Sequence, residues 1–187
     1  MKRHLGFTFI ELVIIVAIAA ILLTAGVPSF VALIKGNRMT TQVNEFIGTL
    51  SYARSEAVKR GQSVTVCQSS NGTACGGALQ WENGFLLFVD PNGNATVDAG
   101  EVTLRVGQAA PADFTMRGTN FATALTYAPT AFVQPDGTSG FLTFCDDRGP
   151  SWARGVLVSA TGRPRVSQDT NGNGVHEDNA GGELTCP

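Results

Sequence analysis

The stretch Met1-Lys2-Arg3-His4-Leu5-Gly6-Phe7-Thr8-Phe9-Ile10-Glu11-Leu12-Val13 opens the chain, and a largely apolar run continues from it to Leu33 and Ile34. Lys2, Arg3 and His4 make a short basic leader. The run from Leu12 to Ile34 is long enough to span roughly 30 Å of hydrocarbon as a helix. One carboxylate, Glu11, stands at its head. An ionisable group in lipid costs roughly 2.5–3.5 kcal/mol on insertion scales. A plain anchor has no use for it, so Glu11 is expected to act once the helix leaves the bilayer. An ordinary secretory signal places its cleavage site after the apolar region, at small residues. Here the obvious break, Gly6-Phe7, comes before it. Cutting there removes residues 1–6 and leaves the helix on the mature protein.

Outward from this segment, the pattern reads as one helix from residue 7 to about 60. Residues 7–34 are its membrane-compatible half, with Gly26 and Pro28 expected to weaken or kink it. Residues 35–61 are amphipathic. Val43, Phe46, Ile47, Leu50, Ala53, Ala57 and Val58 recur at helical spacing, while Gln42, Glu45, Arg54, Glu56 and Lys59 fall largely elsewhere. Lys59-Arg60-Gly61 closes the helix, with cations against its negative end and Gly where a left-handed cap is wanted. In residues 62–187 the period shifts toward two. Ser63–Gln68, Gly84–Asp90, Glu101–Val106, Phe114–Arg117, Gly140–Cys145 and Gly155–Ala160 are strand candidates, separated by Gly, Asn, Asp and Pro clusters. The amphipathic half-helix must bury its stripe against one face of this antiparallel β domain, which predicts an α+β fold.

Composition agrees. The 187 residues hold only 15% charged side chains and 22 glycines, which suits a turn-rich β domain better than a helical bundle. A formal net charge of −2 gives no global basic field for nucleic acid, so any such binding must come from a local patch. All four cysteines lie beyond the anchor. The basic leader stays cytoplasmic, so the domain faces an oxidising compartment and the cysteines read as two disulfides with three connectivities open. The favoured pairing joins Cys67 to Cys75 in a short local loop and Cys145 to Cys186 across the tail. The close pair lacks the CxxC spacing of a metal knuckle. Catalysis has little support. The only histidines are His4 and His176, and no base partners the serines and threonines.

Two kinds of site stand out. Arg163 and Arg165 are two apart, so on an extended segment both side chains leave one face, about 6.6 Å apart. That is near the spacing of successive phosphates on an extended strand, and the planar fork of arginine suits phosphate. Pro164 belongs at a sheet edge or in a loop, Gly162 permits a turn, and Arg154 is a candidate third cation. The competing reading is a turn with two solvated arginines. Asp90, Asn92, Asn94, Asp98 and Glu101 match the spacing of calcium ligands, although Ala95 replaces the usual Gly. Asp169, Asn171, Asn173 and Glu177 form a partial second match that keeps Gly174. These residue types are equally the commonest turn formers, so calcium and plain turns stand as alternatives.

Gly6, Phe7, Thr8 and Glu11, with Pro28 further on, resemble the class III leader of type IV pilins and type II secretion pseudopilins. The resemblance implies cleavage after Gly6 by a prepilin peptidase, N-methylation of Phe7, and neutralisation of a neighbouring subunit's Phe7 amine by Glu11 during assembly. Further stretches are similar to the GspH/FimT family of minor pilins and pseudopilins: Trp81-Glu82-Asn83-Gly84-Phe85 leading into Phe88-Val89-Asp90-Pro91-Asn92-Gly93-Asn94, then Phe132-Val133-Gln134-Pro135-Asp136-Gly137-Thr138, and the run from Val156 to Arg165. This implies a type IV pilin-like fold. It also implies an inner-membrane precursor with one span and a periplasmic domain, and later a place in a pilus on the cell surface beside other pilins. Gly162-Arg163-Pro164-Arg165 resembles the DNA-binding motif of FimT-type pilins, which implies capture of double-stranded DNA for natural transformation. The alternatives are a type II secretion pseudopilin with a structural role, or a minor pilin that primes assembly without touching DNA.

Overall fold

The computed structural model describes residues 6–76, 80–121, 123–135 and 139–187. The leader Met1–Leu5 and the stretch Asp136–Thr138 lie outside the described residues. The chain divides into two compact units, Met1–Arg38 and Met39–Pro187.

The first unit carries the start of α1, which spans Phe9–Arg60 and continues through Pro28. Thr8 caps it. The Glu11 carboxylate accepts the Thr8 N–H at 2.8 Å and the Thr8 hydroxyl at 2.9 Å, while the Glu11 N–H donates back to Thr8 Oγ1 at 3.3 Å. This reciprocal capping box satisfies helix-end donors that lipid would otherwise leave bare. Phe9, Ile10 and Leu12 are exposed, as are Val13, Ile14, Phe30 and Leu33 further along. Among the described residues, one helix is long and apolar enough to cross a membrane.

In the second unit, α1 buries Met39, Val43, Phe46, Leu50, Ala53 and Ala57, alternating steps of four and three. Val58, expected on this stripe, is instead exposed, and Glu56 is buried where a polar face was expected. Glu56 is held by Arg60 at 2.5 Å and Lys59 at 3.4 Å. The helix ends in a Schellman motif: Gln62 N–H bonds the Ala57 carbonyl, Gly61 N–H bonds the Val58 carbonyl, and Gly61 takes φ 64°.

Among the described residues nine strands follow: β1 Val64–Gln68, β2 Phe85–Val89, β3 Thr103–Gly107, β4 Thr115–Thr119, β5 Ala124–Tyr127, β6 Val133–Gln134, β7 Gly140–Cys145, β8 Arg154–Val158 and β9 Pro164–Val166. They form two antiparallel sheets, a five-stranded one ordered β3-β2-β1-β5-β6 and a four-stranded one ordered β4-β7-β8-β9. The expected antiparallel β domain thus comprises two sheets. Their inner faces join the α1 stripe in one core, where Phe46 packs edge-on to Trp81, Phe85 and Phe144 at 5.5–5.8 Å. Disulfides join Cys67 to Cys75 and Cys145 to Cys186. The second lies with Ala153 and Leu184 in a small cluster of its own.

Candidate functional site

Arg163 and Arg165 belong to a hairpin between β8 and β9. The turn closes when Gly162 N–H donates to the Ser159 carbonyl at 2.8 Å and Ser159 N–H to the Arg163 carbonyl at 3.3 Å. Gly162 adopts φ +75° and is buried. A Cβ there would lie 2.2 Å from the Ala131 carbonyl oxygen, 2.9 Å from the Tyr127 ring and 3.3 Å from Arg54 Nε. The glycine therefore serves a close approach as well as a turn. The hairpin tip is tied to its surroundings because Val133 N–H donates to the Ala160 carbonyl at 3.3 Å. Pro164 starts β9 at the sheet edge, where its missing donor costs no ladder bond.

Both arginines are exposed, and neither forms an ion pair among the described residues. Arg165 stands opposite Leu157, and Leu157 opposite Phe141. Directly paired residues share a sheet face, so Arg165 lies on the face turned away from Val156, Val158 and Leu142, which are in the main core. The C-terminal tail packs on this same outer face through Leu184 and Cys186. Arg165 shares a cleft there with Gln168, Glu177 and Asp178.

The structure does not bring Arg154 to the turn. It pairs with Phe144 at the far end of β8 and donates to the Ala153 carbonyl at 2.7 Å. Burial, then the nearby charge of Arg148, lowers its pKa. The cation that does reach the turn is Arg54, whose Nε–H donates to the Ala131 carbonyl at 3.2 Å. No local signal marks it, since the contact joins positions 77 residues apart. Thr8 has a second role as the cap of α1, and Thr8-x-x-Glu11 is a capping-box spacing readable in the sequence.

In the two Asp-rich loops the carboxylates are engaged by groups of their own turns and, for Asp90, by a hydroxyl of β1. Asp90 is buried and accepts the Thr65 hydroxyl at 2.7 Å and the N–H groups of Asn94 and Ala95. Ala95 takes φ 57°, the left-handed conformation of the position where a calcium loop has Gly. Asp98 accepts the side-chain amides of Asn92 and Asn94, and Glu101 accepts the Asp98 N–H. Asn171 and Asn173 accept backbone N–H groups two residues on. The Asp169 carboxyl is held below the usual range by the N–H of Gly174 first, with those of Gly172 and Asn173 adding to it. Glu177 accepts the Thr170 N–H at 2.8 Å. Among the described residues no three His, Cys, Asp or Glu side chains gather as a metal site. His176 joins Ser167 through Nδ1 at 2.7–2.9 Å, and burial, then the charge of Arg154, lowers its pKa.

A family model described as type II transport protein GspH matches residues 42–162, and one described as a prokaryotic N-terminal methylation motif matches residues 1–27. No curated protein sequence matches the chain. The type IV minor pilin FimU of Pseudomonas aeruginosa is similar in structure, with a TM-score of 0.58 at 22% identity over 71% of this chain and 90% of that one. The minor pseudopilin EpsH from the type 2 secretion system of Vibrio cholerae gives a TM-score of 0.46 at 10% identity, over 69% of this chain and 95% of that one.

Proposed function

The chain belongs to the GspH family and carries the N-terminal methylation motif, and from this premise we propose that it is a minor type IV pilin whose β8–β9 hairpin captures extracellular double-stranded DNA. The observation that carries the reading is the exposure of Arg163 and Arg165 on an edge hairpin, with no ion pair to either among the described residues. Along an extended strand such side chains project about 6.6 Å apart, close to a phosphate repeat. Phosphate contacts position a duplex without reading its sequence, so capture would be non-specific, as uptake of arbitrary DNA requires. The precursor would sit in the inner membrane through α1, with its globular domain in the periplasm. A prepilin peptidase would cut after Gly6 and methylate Phe7. Glu11 would then meet the Phe7 amine of a neighbouring pilin as the subunit enters the pilus.

A second reading, a minor pseudopilin of type II secretion, is favoured by the family model's description and by Glu177 and Asp178 beside Arg165. Nearby carboxylates oppose phosphate. Binding of labelled duplex to the full chain in detergent micelles separates the two readings. With two phosphate contacts, log affinity should fall against log salt with a slope of about −2, and scrambling the sequence should change little. Arg163→Gln with Arg165→Gln should abolish binding while leaving the thermal midpoint unchanged. Wild-type affinity in the double variant would move the site elsewhere. No binding by the wild type would favour the pseudopilin.

A further inference from the structure

We propose that Arg54 of α1 is a third phosphate-binding residue beside the Gly162 turn, a proposal that rests on the DNA-capture reading above. Three groups meet there. Arg54 Nε–H bonds the Ala131 carbonyl at 3.2 Å, that carbonyl lies 2.2 Å from where a Gly162 Cβ would be, and Arg54 Nε lies 3.3 Å from the same point. The residue that follows Gly162 is Arg163. A helix side chain therefore stands against the turn that presents the first arginine of the pair.

The chemistry of Arg54 suits an anion. Its Nε bond uses one of five guanidinium donors and fixes the plane of the fork. Its terminal nitrogens have no partner, and no carboxylate pairs with it, among the described residues. The residue is half-buried and not sealed in the core. A guanidinium already held in place loses less rotamer freedom on binding than a free surface one. The titratable group that feels its charge is Tyr127. That hydroxyl is buried without a hydrogen-bond partner among the described residues, and burial pushes its pKa up, so it stays neutral and leaves the charge of Arg54 uncancelled. Ala131 takes φ 69° in a loop pinned by its own N–H on the Ala128 carbonyl and by the Ala128 N–H on the Phe132 carbonyl, both at 2.9 Å.

The test measures binding of fluorescent duplex DNA to the full chain in detergent micelles, between about 50 and 200 mM salt. Arg54→Gln should make the log–log salt slope shallower by about 0.9 and weaken binding about fivefold to tenfold at the low-salt end. Arg54→Lys keeps the charge and should keep the wild-type slope. If wild type binds and Arg54→Gln matches it in affinity and slope, the inference falls while DNA capture stands. If Arg54→Lys loses as much as Arg54→Gln, Arg54 only holds the Ala131 loop, and the inference falls again. If wild type does not bind, both readings fall together. Should Arg54→Gln fail to fold, the slope of Arg54→Lys decides alone: the wild-type value supports the contact and a shallower one overturns it.

Discussion

At the scale of single residues, Gly162 carries two constraints that no other side chain meets. Its φ of +75° disfavours a Cβ, and backbone oxygen occupies the place where one would go. Gly162→Ala should therefore cost on the order of 2–3 kcal/mol, seen as a lower urea midpoint with an unchanged m-value. The turn role of Gly162 is legible from its place before Pro164; the packing role is not, because Ala131, Tyr127 and Arg54 lie far off in sequence. The same limit separates the two candidate third cations. Arg154 is near Arg163 along the chain but at the wrong end of a strand. Arg54 is remote along the chain and stands at the turn. Glu11 was readable as a misplaced charge, and its answer within the subunit is Thr8. Thr8→Val removes the hydroxyl that both donates to and accepts from Glu11. It should lower the yield of membrane-inserted precursor, measured by fractionation, and a yield equal to wild type would contradict that role.

At the scale of elements, α1 was readable almost to its ends because Val43, Phe46, Leu50, Ala53 and Ala57 hold one period and Gly61 stops it. Six strands followed from Val, Phe and Leu runs between turn clusters. Three others gave no such signal: β6 has two residues, β5 has four, and β9 begins on a proline. These are held by neighbouring strands and not by their own propensity. The Cys145–Cys186 bridge closes a separation of 41 residues against 8 for Cys67–Cys75. Its removal should cost roughly 3–4 kcal/mol, against roughly 2–3 for the short one, compared by denaturant midpoints of the two double Cys→Ala variants. The tail it anchors also holds His176. Folding lowers that imidazole's pKa, so the native state favours its neutral form. Stability should be full above the unfolded value of about 6.5 and fall as pH drops from there through the lower folded value. His176→Gln should flatten this dependence in thermal midpoints taken between pH 7.5 and 5.

For the molecule as a whole, one chain joins a membrane-compatible helix with a capped carboxylate to a β domain that displays paired arginines on an edge. Under the proposed function, assembly and capture are separable demands on it. Glu11→Ala should insert and be cleaved normally yet fail to enter filaments, because a neighbour's Phe7 amine would lose its counter-charge in a low-dielectric setting. Blots of precursor, mature and sheared-pilus fractions would show this. Normal incorporation would refute the assembly role. The capture claim is tested most directly in the native host, by replacing the chromosomal copy with one carrying Arg163→Gln and Arg165→Gln. Transformation frequency, pilus yield and protein secretion are then measured in parallel. With capture by the β8–β9 hairpin, transformation collapses while pili and secretion stay at wild-type levels; unchanged transformation, or a loss of secretion in its place, would contradict that role.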